Sequence, residues 1–423
     1  MLCALSLVAA SCGPFARYQA RPLDAEASAA RLTGRRLGGQ PWTLASLTAE
    51  ALKHHPEITV ARAKYDSAVA AVRTAGERPN PTVALSPQIV TPWTKWIAGT
   101  YGIDFDWTIE TAGKRDKRQL AAHAQVRAAA ANVIDSTWKV RSAVRKAFLE
   151  VYAAERRATL LNAAITRQGE LLAAFDERVK AGAESRGATL QARLLQAQMR
   201  LQAAETAKLA ATSRASLAEA LAMDLRGIQG ARFSFAAFES ATHCVPGKQK
   251  ALTHRADVLA ALAEYAAAEA LLRWEIAKQY PDIHLNPGYS FDTGENKWTL
   301  GIGLTLPVLN HNQGLVGEAE AKRKEAAAMF DVVQAKVLAE YDRAAAALTA
   351  AKTKLATTDV LLEEQAQQVA SEERLVQAGS EDRSALLSAE VERATTRIAR
   401  VDALADIQAA ITELEAATQT PMP

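Results

Sequence analysis

The nine residues Tyr101-Gly-Ile-Asp-Phe-Asp-Trp-Thr-Ile109 alternate strictly between two kinds of side chain. The odd-numbered positions are all large and apolar, while Gly, Asp, Asp and Thr fill the even-numbered ones. Successive side chains of a strand point to opposite faces, so this alternation predicts a strand with one apolar face and one small or polar face. A tilted transmembrane strand needs roughly 9–11 residues and alternates between lipid and lumen in this way.

Three further segments show the same pattern. Residues 298–306 place Trp298, Leu300, Ile302, Leu304 and Leu306 on one face and Gly or Thr on the other. Residues 82–90 and 282–291 also alternate, and each precedes one of the first two segments, which predicts two hairpins. The tryptophans near the strand ends fit the aromatic girdles of a membrane barrel; they are Trp93, Trp96, Trp107 and Trp298. The alternative is a pair of soluble hairpins that cap a helical rod.

The number of strands limits how such a barrel can close. A sheet in lipid must leave no open edge, because unpaired backbone groups there are too costly. Four strands fall short of the minimum of about eight. If these strands enter a membrane, closure therefore requires further copies of the chain.

The chain is also internally repeated. Sliding it by 200 residues, and later by 197, aligns residues in order over some 140 positions, including Gly, Pro, Tyr and Arg. The matched pairs include Tyr65 with Tyr265, Pro81 with Pro281, Gly182 with Gly379 and Arg186 with Arg383. This regularity indicates a duplicated supersecondary unit.

Each half predicts a helix, two strands, a very long helix and a return helix. The helices are expected over 56–77, 114–180 and 184–223, and over 254–278, 314–377 and 381–417. A helix of about 65 residues is about 100 Å long. The turns that carry Gly182 and Arg186, and Gly379 and Arg383, therefore lie at the end remote from the strands. From the helices alone, an antiparallel coiled-coil rod is the alternative.

Composition bounds the class of protein. The formal net charge of +3 argues against a nucleic-acid partner, and none of the three cysteines forms a CxxC pair. The first 11 residues are apolar and end in small residues, which predicts a signal peptide. Ala10-Ser11-Cys12-Gly13 resembles a lipoprotein box, with Cys12 as the lipidated residue; the alternative is an ordinary signal peptide. No later segment supplies the ~20 consecutive apolar residues of a membrane-spanning helix.

Three motifs resemble the TolC family of bacterial outer-membrane efflux proteins. Leu47-Thr-Ala-Glu-Ala-Leu-Lys-His-His-Pro-Glu-Ile58 is similar to the family's opening signature, with His55 in place of Asn. The junction motifs Glu110-Thr-Ala-Gly113-Lys114-Arg115 and Leu306-Pro307-Val-Leu-Asn-His-Asn312-Gln-Gly314 resemble those of the CzcC-like heavy-metal efflux branch. The resemblance covers nearly all of the chain after the predicted leader.

The resemblance implies a mainly helical homotrimer, in which an α-helical tunnel is topped by a shared 12-stranded transmembrane β-barrel. It implies a location in the bacterial outer membrane, reaching into the periplasm, and passive conduction. The implied partners are a periplasmic adaptor protein, an inner-membrane RND-type transporter and outer-membrane lipid.

The repeat and the motifs together predict six segments. They are a signal peptide (1–11), an extended N-terminal segment with the lipid anchor (12–45), a first efflux repeat (46–224), a connector in the equatorial region (225–250), a second efflux repeat (251–418) and a C-terminal tail (419–423).

No residues suggest catalysis. The chain lacks a phosphate-binding loop and a dinucleotide turn, and the pair His243-Cys244 has no further ligands nearby. We therefore expect no enzyme activity, no cofactor and no resident metal. The basic run Lys114-Arg-Asp-Lys-Arg118 is interpreted as an anchor for anionic lipid, with a solvated helix face as the alternative.

The residues on the polar face of the strands indicate what kind of substrate is exported. It carries Asp104, Asp106, His284 and Asp292, and several copies would place rings of carboxylates in a lumen. Such rings favour cation passage. Together with the junction motifs, this predicts heavy-metal cations as the exported substrate. The alternatives are a drug or organic-solute channel of the same family, and a periplasmic coiled-coil adaptor or structural protein.

Overall fold

The computed structural model describes residues 19–89, 99–239, 247–292 and 294–422. The predicted signal peptide and Cys12 lie outside these residues, as do Trp93, Trp96 and the pair His243-Cys244. The expectations about them stay predictions.

Nine α-helices and six strands follow one another along the described residues. The first part of the chain forms α1 (Ala25–Thr33), β1 (Pro41–Trp42), α2 (Leu44–His54), α3 (Pro56–Gly76), β2 (Thr82–Ile89), β3 (Gly99–Ile109), α4 (Lys114–Lys180) and α5 (Arg186–Ala220). The second forms β4 (Arg232–Phe233), α6 (Lys248–His254), α7 (Ala256–Ala277), β5 (Ile283–Asp292), β6 (Glu295–Leu304), α8 (Gln313–Gln377) and α9 (Arg383–Thr418). The order helix, two strands, long helix and return helix thus occurs twice.

The two long helices are closely equivalent. α4 has 67 residues and α8 has 65, so each is about 100 Å long. Each is preceded by a residue in the left-handed conformation, Gly113 with φ 64° and Asn312 with φ 60°. This conformation turns the chain sharply from strand into helix. None of the helices in the described ranges is apolar over enough length to cross a membrane.

One local expectation was wrong. Segment 12–45 was expected to be extended, but Ala25–Thr33 is a helix, because the Asp24 side chain accepts a hydrogen bond from the Ala27 N–H and the sequence that follows is alanine-rich. The helix expected over 254–278 is confirmed as α7 (Ala256–Ala277), and the separate short helix α6 ends just before it at His254. Arg255 between them is extended, with ψ 142°.

The four long strands form one antiparallel sheet in the order β2-β3-β5-β6, so that the middle pair joins the two repeats. β2 and β6 are the edges. The β3–β5 register pairs Asp104 with Gly288 and resumes at Trp107 with Leu285. Pro287 lies in this gap and has no N–H to donate, which accounts for the interruption.

The last strand differs from its predicted span of 298–306. It begins at Glu295 and ends at Leu304, which pairs with Ile283, the first residue of β5. The apolar alternation continues to Leu306, but no partner strand extends that far. The strand therefore ends where its partner strand begins, although the apolar alternation continues for two more residues.

The helices pack side by side in the same order as the strands. Near the sheet the order of contact is α3-α4-α7-α8, and further away it is α5-α4-α9-α8. About halfway along α4, the fully buried ring of Phe148 stacks with Phe233, Phe235 and Phe238 of the segment between the repeats, at centroid distances of 5.0–5.6 Å. This cluster fastens the connector to the helices.

Candidate functional site

One face of the four-stranded sheet is apolar and open to the surroundings. Trp298, at 80% exposure, is the most exposed of these side chains. The others that are largely exposed are Val83, Leu85, Tyr101, Phe105, Trp107, Ile109, Leu300, Ile302 and Leu304. A contiguous apolar face of this kind marks a surface that meets another apolar medium or partner.

The opposite face carries all four polar residues predicted from the sequence. The register places Asp104, Asp106, His284 and Asp292 on the same side of the sheet. Near the helical end, Asp106 Oδ1 lies 3.1 Å from His284 Nδ1. Asp104 accepts a hydrogen bond of 3.1 Å from the Ser86 hydroxyl. At the far end, Asp292 accepts one of 3.1 Å from Thr100.

Two charged residues of this face were missed. Glu295 and Lys297 belong to β6 and share the face of Asp292, and Lys297 Nζ lies 2.7 Å from Asp292 Oδ2. The predicted strand 298–306 begins after both residues. Asn296 pairs with Phe291, so the strand continues back from Trp298 with the same alternation. Extending that alternation to residues 295 and 297 in the sequence would have placed both on the polar face. The described strands thus carry four carboxylates (Asp104, Asp106, Asp292, Glu295) and one ammonium on this face.

This arrangement suits weak attraction of cations better than tight binding. The groups that could hold a cation are spread along the strands, and several are occupied by hydroxyl or ammonium partners. Within the part of the chain that the structure describes, no group of three or more His, Cys, Asp or Glu side chains could hold a metal ion.

The first junction motif connects the two repeats just below the sheet. Lys114 is only 6% exposed, and its Nζ donates to Asp282 Oδ1 at 2.6 Å and to the Tyr280 carbonyl at 2.7 Å. The Thr111 N–H also donates to Asp282, at 2.9 Å. The start of α4 is thereby fixed to the residues that lead into β5.

The arginines of the same motif cap the preceding helix. Arg115 donates to the carbonyl of Gly76 at 2.7 Å, and Arg118 donates to Ala75 at 2.7 Å. Arg118 also pairs with Glu110 at 2.6 Å. These bonds satisfy carbonyls that a helix end leaves open. The interpretation of 114–118 as a lipid anchor was therefore wrong for Lys114, Arg115 and Arg118, whose charged groups are used inside the fold.

The second junction motif also binds the end of the preceding helix, but it uses an amide side chain instead of arginine. The Asn312 Nδ2 donates to the Glu275 carbonyl at 2.8 Å and to its carboxylate at 3.0 Å, at the end of α7. Gly314 lies in the first turn of α8 in open space. Pro307 belongs to an eight-residue connection that is longer than its counterpart in the first repeat.

The two tip turns lie side by side. Gly182 and Gly379 have φ 75° and 71°, and both end their helices with a left-handed residue. Arg178 beside the first turn forms an ion pair with Asp382 of the second. Arg186 and Arg383 are the first residues of the return helices. Both hairpins thus reach the same end of the molecule.

Comparison with known proteins agrees with this architecture. A family model described as outer membrane efflux protein matches residues 47–223 and 248–419. The cobalt-zinc-cadmium resistance protein CzcC of Cupriavidus metallidurans is 27% identical over 284 residues, which is 65% of this chain and 65% of CzcC. The chain thus aligns with slightly less than two thirds of that relative's length.

Three solved structures share the fold. The outer membrane protein VceC of Vibrio cholerae has a TM-score of 0.73 at 21% identity, covering 89% of this chain and 95% of VceC. The outer-membrane channel OprN has a TM-score of 0.74 at 18% identity, covering 96% of this chain and 98% of OprN. CusC, whose structures concern transmembrane channel formation, has a TM-score of 0.72 at 17% identity, covering 96% of this chain and 99% of CusC. Since the two segments matched by the family model take up most of the 423 residues, the chain belongs to the outer membrane efflux protein family.

Proposed function

We propose that this protein is the outer-membrane channel subunit of a tripartite efflux pump and a passive conduit for heavy-metal cations. Three copies form a homotrimer with a shared barrel of twelve strands, and their long helices form a tunnel through the periplasm. A periplasmic adaptor and an inner-membrane RND-type transporter complete the pump.

The observation that carries the proposal is the four-stranded sheet with two open edges. Its strands alternate in direction from β2 to β6, so β6 of one copy can pair antiparallel with β2 of the next. Such a sheet has a lipid-compatible face and cannot close alone. Three copies of four strands give a barrel in the range known for outer-membrane proteins.

The substrate is inferred from two independent features. The relative CzcC is named for resistance to cobalt, zinc and cadmium. The polar face of the sheet carries more carboxylates than ammonium groups, and three copies would multiply that excess in one lumen. A negative lumen raises the local concentration of cations and lets them leave again.

Loss of the gene should sensitise the host to metals. A deletion strain and the same strain complemented with the gene are grown on salts of Zn, Co, Cd, Ni, Cu and Ag and on a panel of antibiotics and dyes. The deletion strain is expected to lose growth on one or more of the metals. Failure on organic compounds alone would assign the channel to drug or organic-solute efflux. No phenotype on either panel would argue against an efflux role.

Removing the lumen acids should weaken cation selectivity. In single-channel recordings, the double variant Asp104→Asn/Asp106→Asn is expected to lose part of the preference for cations over anions that the wild type shows. Asp66→Asn, on the helical part of the chain, is the control and should leave selectivity unchanged. Equal selectivity of the double variant and the wild type would remove the role given to Asp104 and Asp106.

The tip turns are the proposed docking end for the adaptor. Because the turns carrying Gly182 and Gly379 lie together at the far end of helices about 100 Å long, cysteines at Ser185 and Ser380 should crosslink to the adaptor hairpin. Thr82→Cys, at the start of β2, is the matched control and should not crosslink. Crosslinks from Thr82 with none from the tips would contradict this orientation.

A further inference from the structure

We propose that residues 306–309 of one copy seat in a valine-lined groove between α3 and α4 of the next copy, and that this joint fastens the copies just below the barrel. The inference rests on the proposed trimer and adds a specific contact to it.

The inserted segment is an exposed apolar stretch on one edge of the molecule. In the first repeat, four residues connect β3 to α4, but in the second, eight connect β6 to α8. The longer connection exposes Leu306, Val308 and Leu309, and Leu309 is 97% exposed. Leu315, in the first turn of α8, extends the patch. Large apolar side chains grouped in this way indicate a contact surface.

The receiving groove lies on the opposite edge. Its walls are Val69 and Val72 of α3 and Val126 of α4, and its volume is about 640 Å³. The end of α3 comes very close to α4 here, since a Cβ on Gly76 would lie 2.5 Å from the Gln119 Nε2. The rim of the groove carries the charged or polar groups of Arg73, Glu77, Arg115 and His123.

Segment and groove both lie in the part of the molecule next to the sheet. α4 and α8 both start where the strands end, so distance along them measures distance from the sheet. Gln119, in the groove, lies about 8 Å below the start of α4. Residues 306–309 belong to the connection between β6 and the start of α8. β6 and α8 form one lateral edge of the chain, and β2 and α3 form the other. When β6 pairs with β2 of the next copy, the segment is brought to the groove.

One charge on each edge forms a complementary pair. Glu320 lies about 10 Å below the start of α8, close to the level of Arg73 on the groove rim. Both are exposed, and within the described residues of a single chain neither side chain has a hydrogen bond or ion pair. Across the joint, the carboxylate of Glu320 faces the guanidinium of Arg73.

Disulfide trapping tests the joint in the assembled protein. In full-length protein carrying Cys244→Ser, the pair Val72→Cys with Leu309→Cys is expected to crosslink most chains into dimers and trimers on oxidation. Leu120→Cys with Leu309→Cys is the control, since Leu120 is exposed at the same level on α4 but does not line the groove. It should show background crosslinking only.

A charge exchange provides a second measurement. Arg73→Glu and Glu320→Arg should each lower the temperature at which the trimer dissociates on a gel, and the combined variant should recover most of that loss. No gain in the combined variant would remove the pairing of Glu320 with Arg73.

Other outcomes distinguish the joint from the trimer itself. A normal trimer without crosslinks from Val72 above the control overturns the joint and leaves the trimer intact. Labelling of Leu309→Cys by a bilayer-soluble maleimide, at the rate seen for Ile302→Cys, also overturns it, because the segment would then face lipid. A wild-type protein that is not trimeric overturns both the joint and the proposed function.

Discussion

Ile302→Arg should abolish assembly of the protein in the outer membrane. Ile302 lies in β6 on the exposed apolar face of the sheet, and its side chain is 69% exposed in the single chain. An arginine near the midplane of the bilayer costs about 2–4 kcal/mol on the lipid face of a barrel. A trimer carries the substitution three times. Phe105→Arg, on the same face of β3, should behave in the same way.

The matched control places the same charge on the other face. Gln88 pairs with Thr100 on the polar side of the sheet, so Gln88→Arg should assemble normally. The amount of heat-sensitive oligomer in purified outer membranes measures the effect. Normal yields from both Ile302→Arg and Phe105→Arg would show that this face does not meet lipid.

Glu415→Gln should cause a large loss of stability in the helical part. Glu415 is 2% exposed and pairs with Arg145 at 2.6 Å, and Arg141 contacts its other oxygen. Arg145 is equally buried and also donates to the Met422 carbonyl at 2.8 Å. Burial lowers the pKa of Arg145, while the Glu415 carboxylate opposes that shift. Breaking a buried pair on one side typically costs about 3–5 kcal/mol, since a buried charge loses its partner.

Two variants separate charge from packing in this prediction. Glu413→Gln changes an exposed carboxylate two residues away and should alter the free energy of unfolding by less than about 0.5 kcal/mol. Arg145→Met/Glu415→Leu removes both charges and should regain most of the loss. Guanidinium unfolding of the detergent-purified protein measures all three. If Glu415→Gln and Glu413→Gln unfold at the same guanidinium concentration, the buried pair contributes little to the free energy of unfolding.

The long helices and the faces of the strands could be predicted because their patterns are local. α4 was expected over 114–180 and has these bounds, since glycines in left-handed conformation stand just before its start and in the turn after its end. The polar face was predicted by alternation alone, and the register confirms that Asp104, Asp106, His284 and Asp292 share it.

The junctions could not be predicted in the same way, because their contacts join residues far apart in the sequence. Lys114 reaches Asp282 across 168 positions, and Arg118 reaches the carbonyls at the end of α3 across about forty. In the sequence these cations look like a basic run available to lipid. Glu295 and Lys297 were missed because the strand was expected to begin at Trp298, although alternation counted back from Trp298 places both residues on the polar face.

The mass of the native complex, extracted from outer membranes in detergent, shows how many chains close the barrel. Four strands with two open edges require other copies of the chain to close, and the proposed barrel requires three. A single species of three chains is expected, in which no partner protein is needed for closure. A stable monomer or dimer in the membrane would contradict it, because its sheet would be left with unpaired edges in lipid.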